Sequence, residues 1–226
     1  MRLLGTLTLC AILALVAGCP LPAPKPQPDS EPKPAIKPAP PTPQQINEAL
    51  TRLNKAFQEE YERILDQRGA RIDVAPPSIA FQALEGGLRR LGMIVESRDP
   101  EAGTLTVAAP APKPLSADEW RRVVQEDGPM MARILCPTLG EYCRQIRFEP
   151  DDYVIVINAI VLPHSVSSSA VTAHTGSRIS LTTRMREIVE RPGVPRREYP
   201  PPSGVRMALD KIWAEYDRER AAHAKR

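Results

Sequence analysis

From Pro20 to Pro43, nearly every second residue is proline, with alanine, lysine and glutamine between the prolines. Proline lacks the backbone N–H that helices and sheets need, and the segment has too few apolar side chains to form a core. We therefore expect residues 19–43 to form a disordered or polyproline II-like tether, which at ~3.1 Å per residue would extend over roughly 70 Å. A compact domain can form only after it.

The residues before this linker have the features of a secretory signal. Arg2 supplies a positive start, Leu3 to Val16 form an almost unbroken apolar run, and small residues precede Cys19. The run is shorter than the ~20 apolar residues that a membrane-spanning helix needs. We therefore favour a cleaved signal peptide at residues 1–18 over a transmembrane anchor.

The end of this signal, Val16-Ala17-Gly18-Cys19, resembles the lipobox of bacterial lipoproteins. The resemblance implies that Cys19 becomes the first residue of the mature protein and carries fatty-acyl chains such as palmitate. More than one such chain makes membrane attachment stable. The next residue is Pro20, and not the aspartate that resembles an inner-membrane retention signal in enteric-type bacteria. The expected location is therefore the outer membrane, lipid-anchored and facing the periplasm.

The remaining cysteines predict a disulfide bond. Signal cleavage would discard Cys10 and lipidation would occupy Cys19, which leaves Cys136 and Cys143 in an oxidising compartment. Their bridge would contribute about 2–3 kcal/mol in the loop-entropy model. Two buried free thiols are the alternative. With no histidine or further cysteine nearby to complete a zinc site, we predict no metal and no cofactor.

Residues 44–69 have the pattern of an amphipathic helix. Thr42-Pro43 supplies a cap and a first-turn proline, and Gly69 supplies a stop. The apolar residues at helical spacing are Ile46, Leu50, Leu53, Phe57, Tyr61 and Ile64. The helix could pack on its own domain or form a coiled-coil arm. We favour packing, because the stripe is shorter than three to four heptads.

Residues 70–226 are long enough for one domain with its own core. The expected elements are a short strand around Ile72 and Val74, a helix from Pro76-Pro77 to Gly92, strands at 93–98 and 104–108 joined by a hairpin loop, a helix capped by Ser116 and Glu119 and broken by Gly128-Pro129, strands at 153–162 and 178–186, and a last helix after Pro200 to Ser203. This order predicts an α+β fold with an antiparallel sheet and helices packed against it.

The last two strands differ in pattern. Tyr153 to Leu162 is apolar at both alternating sets of positions except at Asn158, which predicts a central strand covered on both sides. The following strand alternates, and Arg178, Arg184 and Arg186 share its wet face.

These three arginines, together with Arg144 and Arg147, are candidates for a basic interaction surface. Its partner would be an acidic protein, an anionic glycan or a lipid headgroup, and export argues against nucleic acid. A merely solvated face is the alternative that we favour, because the net charge of +3 is nearly balanced.

One stretch resembles a known family. It runs through Phe81-Gln82-Ala83-Leu84, Leu91-Gly92-Met93-Ile94-Val95, Asp99 and Gly103-Thr104-Leu105-Thr106-Val107. A helix ending in Leu-Gly, a strand, an Asp-containing turn and a returning strand also occur in BamC-like proteins, lipoprotein subunits of the β-barrel assembly machinery with helix-grip domains. The resemblance implies a helix-grip-like, non-enzymatic envelope lipoprotein. BamC-like proteins carry two such domains and this chain one, so an equivalent partner is not implied.

The residues that could support catalysis do not form a recognisable set. His164 and His174 bracket a serine-rich loop, Ser165 to Ser169, and a Ser–His pair can activate a nucleophile. However, the chain has no G-x-S-x-G elbow and no H-E-x-x-H motif. The paired acids at 151–152 stand at a strand entry, where adjacent side chains usually point apart, and those at 59–60 lie on or beside the polar face of the first helix. We therefore do not expect an enzyme.

The leading hypothesis is a lipid-anchored envelope lipoprotein with a structural or protein-interaction role, whose partners are the membrane and an envelope protein. The first alternative is a small-ligand- or lipid-binding domain, with a cavity lined by Val154, Val156, Ile160, Ile212 and Trp213. The second alternative is an envelope hydrolase that uses His164 or His174.

Overall fold

A computed structural model describes residues 39–168, 172–189 and 195–225 of the chain. They form an α+β fold in which a five-stranded antiparallel sheet packs against four helices, as the sequence predicts. The helices are α1 (Pro43–Arg68), α2 (Pro77–Arg90), α3 (Ala117–Leu139) and α4 (Pro202–His223). The strands are β1 (Ala70–Asp73), β2 (Ile94–Asp99), β3 (Thr104–Pro110), β4 (Tyr153–Ser168) and β5 (Thr172–Glu187). Short 3₁₀ helices span Gly140–Gln145 and Pro150–Asp152, and the strand order is β1-β5-β4-β3-β2.

Helix α1 begins with a complete capping box. The Thr42 hydroxyl accepts a hydrogen bond from the Gln45 backbone N–H, and the Gln45 side chain accepts one from the Thr42 N–H. The buried face of α1 contributes Leu50, Leu53 and Phe57 to the same core as the other helices and the sheet. This is the packed arrangement that we favoured over a coiled-coil arm.

The β2–β3 hairpin also follows from local sequence. The Asp99 carboxylate accepts hydrogen bonds from the backbone N–H groups of Glu101 and Ala102, which shapes the turn. Gly103 has a φ of +66°, and its carbonyl accepts a hydrogen bond from Val161 N–H at 2.8 Å. A Cβ atom at Gly103 would lie 2.0 Å from the Val161 carbonyl oxygen, so the approach of β4 requires glycine here.

Helix α3 differs from the sequence-based prediction. Its capping box at Ser116 and Glu119 is confirmed, but Gly128-Pro129 does not break the helix, which continues to Leu139. The side chains on either side of Pro129, Val123 before it and Leu135 after it, are both fully buried. Burial of one continuous apolar face outweighs the ~3 kcal/mol cost of an internal proline.

The two cysteines are brought together at the end of α3. Cys136 lies in its last turn and Cys143 in the first 3₁₀ helix, with Cα atoms 5.0 Å apart and sulfur atoms at disulfide-bonding distance. The residues between the two cysteines are helical, and the cysteine pair links the first 3₁₀ helix to the end of α3.

The prediction that β4 is covered on both sides is wrong. Tyr153, Ile155, Ile157, Ala159 and Val161 are buried under the helices, whereas the alternate residues point away from them and Ile160 and Leu162 are exposed. The four helices pack on one face of the sheet, and no described element covers the other face. An unbroken apolar run can therefore belong to a strand that is buried on only one of its two faces.

Strand β5 has one dry and one wet face, as predicted, with Ile179, Leu181 and Met185 buried. Its outer edge extends beyond the short strand β1. There the Thr183 N–H donates to the Tyr61 hydroxyl at 3.2 Å and the Met185 N–H donates to the Glu198 carbonyl at 3.3 Å. A helix side chain and the 195–199 segment thus satisfy an edge that would otherwise be open.

Helix α4 starts at Pro202 without a side-chain cap of its own. Asp127 of α3 supplies the cap, because its carboxylate accepts hydrogen bonds from the Ser203 N–H at 3.1 Å and the Ser203 hydroxyl at 2.7 Å. Residues Leu209 and Ile212 then insert into the core.

Candidate interaction surface

The uncovered side of the sheet is the candidate site, and we call it the open face. The pairing register places on it Ile72 of β1, Ile94, Ser97 and Asp99 of β2, Thr104, Thr106, Ala108 and Pro110 of β3, Val154, Val156, Asn158, Ile160 and Leu162 of β4, and Arg178, Ser180, Thr182, Arg184 and Arg186 of β5. The helices pack against the opposite side of the sheet.

Large apolar side chains are concentrated on the open face. Among the eight that are exposed in the described part of the chain, four lie here: Ile72 (58% exposed), Ile94 (65%), Ile160 (44%) and Leu162 (48%). Ile160 and Leu162 lie on the central strand, with Ile72 and Ile94 on the two edge strands. Exposed apolar side chains that share one face of a sheet make that face the candidate interaction surface.

A polar pair interrupts the apolar residues at the middle of the face. The Thr106 hydroxyl donates to the Asn158 side-chain oxygen at 3.0 Å, and Thr182 lies opposite Asn158 on β5. This polar centre fixes the orientation of Asn158, which was the only polar residue in the predicted strand.

The three predicted arginines do share this face and form a row along β5. Arg178 lies opposite Leu162, Arg184 opposite Val156 and Arg186 opposite Val154. All three are exposed, so each guanidinium lies beside an apolar β4 position with its charge in water.

The row has few partners among the described residues. Arg186 forms a 3.8 Å ion pair with Glu96 of β2, and the Arg184 guanidinium lies 5.5 Å from the centre of the Tyr199 ring. Arg178 has no ion-pair partner in the part of the chain that the structure describes. The β5 side of the open face therefore carries an excess of positive charge, whereas Asp99 and Glu96 of β2 place negative charge toward the opposite edge.

Arg144 and Arg147, which we had grouped with this row, lie elsewhere. They belong to the first 3₁₀ helix and the segment after it, and they line a groove against α3. Among the residues that the structure describes, the basic sheet surface consists of the three β5 arginines.

The histidines and serines do not form the loop predicted for them. Ser165 to Ser168 belong to β4, which continues to Ser168, and His174 belongs to β5. His164 lies opposite Gly176, and His174 lies opposite Val166. Ser169 lies outside the described residues, as does the side chain of His174, so this structure does not test a Ser–His pair.

The predicted apolar cavity is not formed by the residues named for it. Val154, Val156 and Ile160 lie on the open face, whereas Ile212 and Trp213 are buried on the helical side of the sheet. The sheet separates the two groups, because alternate residues of a strand point to opposite faces.

A groove of about 830 Å³ is present instead between α3 and residues 143–151. Its apolar lining includes Val124, Met131 and Ile146. Sequence reasoning missed it because it depends on the continuation of α3 past Pro129. Burial raises the pKa of Asp127, which also lines the groove, and the Ser203 hydrogen bonds act in the opposite direction. That carboxylate already caps α4.

Cys19 and the residues before it lie outside the described part of the chain, as does the linker up to residue 38. Among the described residues, no helix is both long and apolar enough to cross a bilayer. In the same part of the chain, no three histidine, cysteine or acidic side chains are arranged to hold a metal ion.

Neither a protein-family model, nor a curated protein, nor a solved structure matches this chain.

Proposed function

We propose that this protein is a lipid-anchored lipoprotein of the bacterial outer membrane that works by binding another envelope protein through the open face. The Val16-Ala17-Gly18-Cys19 pattern supports the anchor, and the proline-rich segment supports a tether between the anchor and the domain. The likeness to BamC-like lipoproteins supports a role through contacts, and it rests on sequence patterns alone.

The observation that carries the interaction role is the open face. It places exposed isoleucine and leucine side chains beside a row of arginines on a sheet whose other side is fully packed. Leaving these apolar side chains in water is unfavourable by about 25 cal/mol per Å², so a partner that covers them gains that energy.

The anchor is tested by changing its cysteine. We expect Cys19→Ala to leave the membrane fraction or to accumulate with its signal uncleaved, because acylation of the sulfur would provide the membrane affinity. Mass spectrometry of the N-terminal peptide should show diacylated or triacylated Cys19 in the unmodified chain. Cys10→Ala is the matched control and should behave as wild type. An unmodified Cys19 in the membrane fraction would contradict the proposal.

The interaction role is tested by photo-crosslinking of the full chain in cells. A photoreactive residue placed at Ile160 or Ile94 should crosslink to one envelope protein, because both positions are exposed on the open face. Gln82, exposed on α2, is the control on the opposite side of the molecule and should give no such product. Equal crosslinking from all three positions would show that the face has no special role.

A ligand-binding function is the second candidate, and the groove beside α3 is what favours it. Its volume lies within the range of 300–1,000 Å³ that is typical of small-molecule sites. A third crosslinking position at Val124, which lines the groove, distinguishes the two functions. Products from Val124 with none from the open face would favour the groove.

A further inference from the structure

We infer that the partner of the open face is an amphipathic helix whose apolar stripe is flanked by acidic residues. This inference rests on the proposed function and adds the chemistry of the partner. It comes from the position of the arginine row relative to the apolar side chains of β4.

The open face of the sheet has room for another helix or sheet to pack on it. Helices pack against one side of it, and sheets with one apolar face are stabilised when a helix or another sheet covers that face. A helix is about 10–12 Å across with its side chains, so it spans the width of two or three strands at about 4.8 Å each. A helix lying along β4 and β5 would therefore contact Ile160 and Leu162 while its flank lies over the β5 arginines.

The arginine spacing matches the repeat of such a helix. Along a strand that rises about 3.3 Å per residue, Arg184 and Arg186 lie about 20 and 26 Å from Arg178. On a helix that rises 1.5 Å and turns 100° per residue, acidic residues at positions 15 and 19 lie about 21 and 27 Å from one at position 1, on the same flank. Three ion pairs can thus form in one straight contact.

The charge of the face argues against two other occupants. A second copy that lays its β5 over β5 would bring the same three arginines to the interface from both sides, and like charges in contact are unfavourable. An anionic membrane would satisfy the arginines, but Asn158 and Thr106 at the centre of the face would then be pressed against acyl chains together with the apolar residues. A helix can offer a polar side chain at that one place.

The test uses the purified full chain and two labelled 20-residue probes. Both probes are alanine-based helices with a leucine stripe, and they carry either glutamate or lysine at positions 1, 15 and 19. We expect the glutamate probe to bind about tenfold more tightly than the lysine probe in fluorescence anisotropy at low salt, because three exposed ion pairs supply a difference of that size.

Variants of the chain assign the preference to the row. Combined Arg178→Glu, Arg184→Glu and Arg186→Glu should reverse the order of the two probes, and the corresponding glutamine variants should abolish the difference without introducing repulsion. Combined Arg121→Glu, Arg122→Glu and Arg133→Glu is the matched control, because these three arginines are also exposed and lie on α3, away from the open face. The control variant should keep the wild-type preference.

Several results would overturn the inference. These are equal affinity for both probes, the same loss in the α3 control, or binding to phosphatidylglycerol vesicles through the β5 arginines with no binding of either probe. A dimer in sedimentation that the β5 variants abolish would also overturn it. If crosslinking in cells still captures an envelope protein from Ile160, the proposed function stands and only the partner chemistry is wrong.

Discussion

Replacing Arg197 by alanine is expected to lower the free energy of unfolding by about 3–5 kcal/mol, because it leaves the Glu187 carboxylate buried without its partner. The two side chains are only 5% and 10% exposed, and Arg197 Nε donates to Glu187 Oε1 at 2.7 Å. A second guanidinium nitrogen donates to the Arg147 carbonyl at 2.7 Å. The change therefore breaks two buried contacts at once.

The same guanidinium also packs against two aromatic rings. Its central carbon lies 4.9 Å from the centre of the Tyr153 ring and 5.0 Å from that of Phe148. Arg197 thus links the end of β5, the start of β4 and the segment after the first 3₁₀ helix. Arg197→Lys keeps the charge, but an ammonium group lacks the planar fork that reaches both acceptors, so we expect a smaller but clear loss.

Urea unfolding of the full chain measures these effects. Arg122→Ala, an exposed arginine on α3, is the control and should stay within about 0.5 kcal/mol of wild type. The double variant Arg197→Met with Glu187→Gln should cost less than the sum of its single changes, since it removes both charges together. If Arg197→Ala costs no more than Arg122→Ala, the pair does not stabilise the fold.

Much of the fold could be predicted because its determinants are local. The capping boxes at Thr42 and Ser116 require only residues three positions apart, and both are present. The alternation of Arg178 to Arg186 likewise fixed which β5 side chains share a face, because side-chain direction in a strand has a period of two.

The errors arose where burial depends on distant elements. The apolar run of β4 cannot reveal whether helices cover one face or both, since that depends on where all four helices pack. The helix break predicted at Pro129 failed for the same reason, because Val123 and Leu135 are held by other elements.

The candidate site was therefore predicted in part. The arginine row followed from the sequence, but its apolar neighbours did not, because the pairing of β4 with β5 sets Ile160 and Leu162 beside it. Ile72 and Ile94 join the face only through the strand order, and neither has a local sequence signal that marks it as part of a surface.

Replacing Asp73 by asparagine is expected to destabilise the chain by about 2–3 kcal/mol at pH 7, because Asp73 is a buried acceptor of charge-assisted hydrogen bonds. Its carboxylate accepts hydrogen bonds from the Tyr216 hydroxyl at 2.5 Å and the Ala75 N–H at 3.0 Å, and Arg220 Nε lies 3.2 Å away. These contacts hold β1, and with it Ile72 of the open face, against α4. Asp210→Asn, which removes an exposed ion pair with Arg68, is the control and should cost less than about 1 kcal/mol.

The same change should alter the dependence of stability on pH. Burial raises the pKa of Asp73, but hydrogen bonds from Tyr216 and Ala75 and the Arg220 charge outweigh it, so the pKa lies below the ordinary 3.8. A carboxyl group with a lowered pKa in the folded state stabilises the fold fully above pH 3.8, and this contribution is lost as the pH falls through the folded-state value. The destabilisation caused by Asp73→Asn should therefore shrink steadily below about pH 4. Hydrogen bonds from Lys211 and Ser116 outweigh the desolvation of Glu119 and lower its pKa to about 2. Glu119 therefore also makes the wild type and the variant less stable as the pH falls. Because it does so equally in both, its effect cancels in the stability difference between them. A difference between variant and wild type that stays constant from pH 7 to pH 2.5 would show that Asp73 does not ionise more readily in the folded state, and that the link between β1 and α4 is not electrostatic.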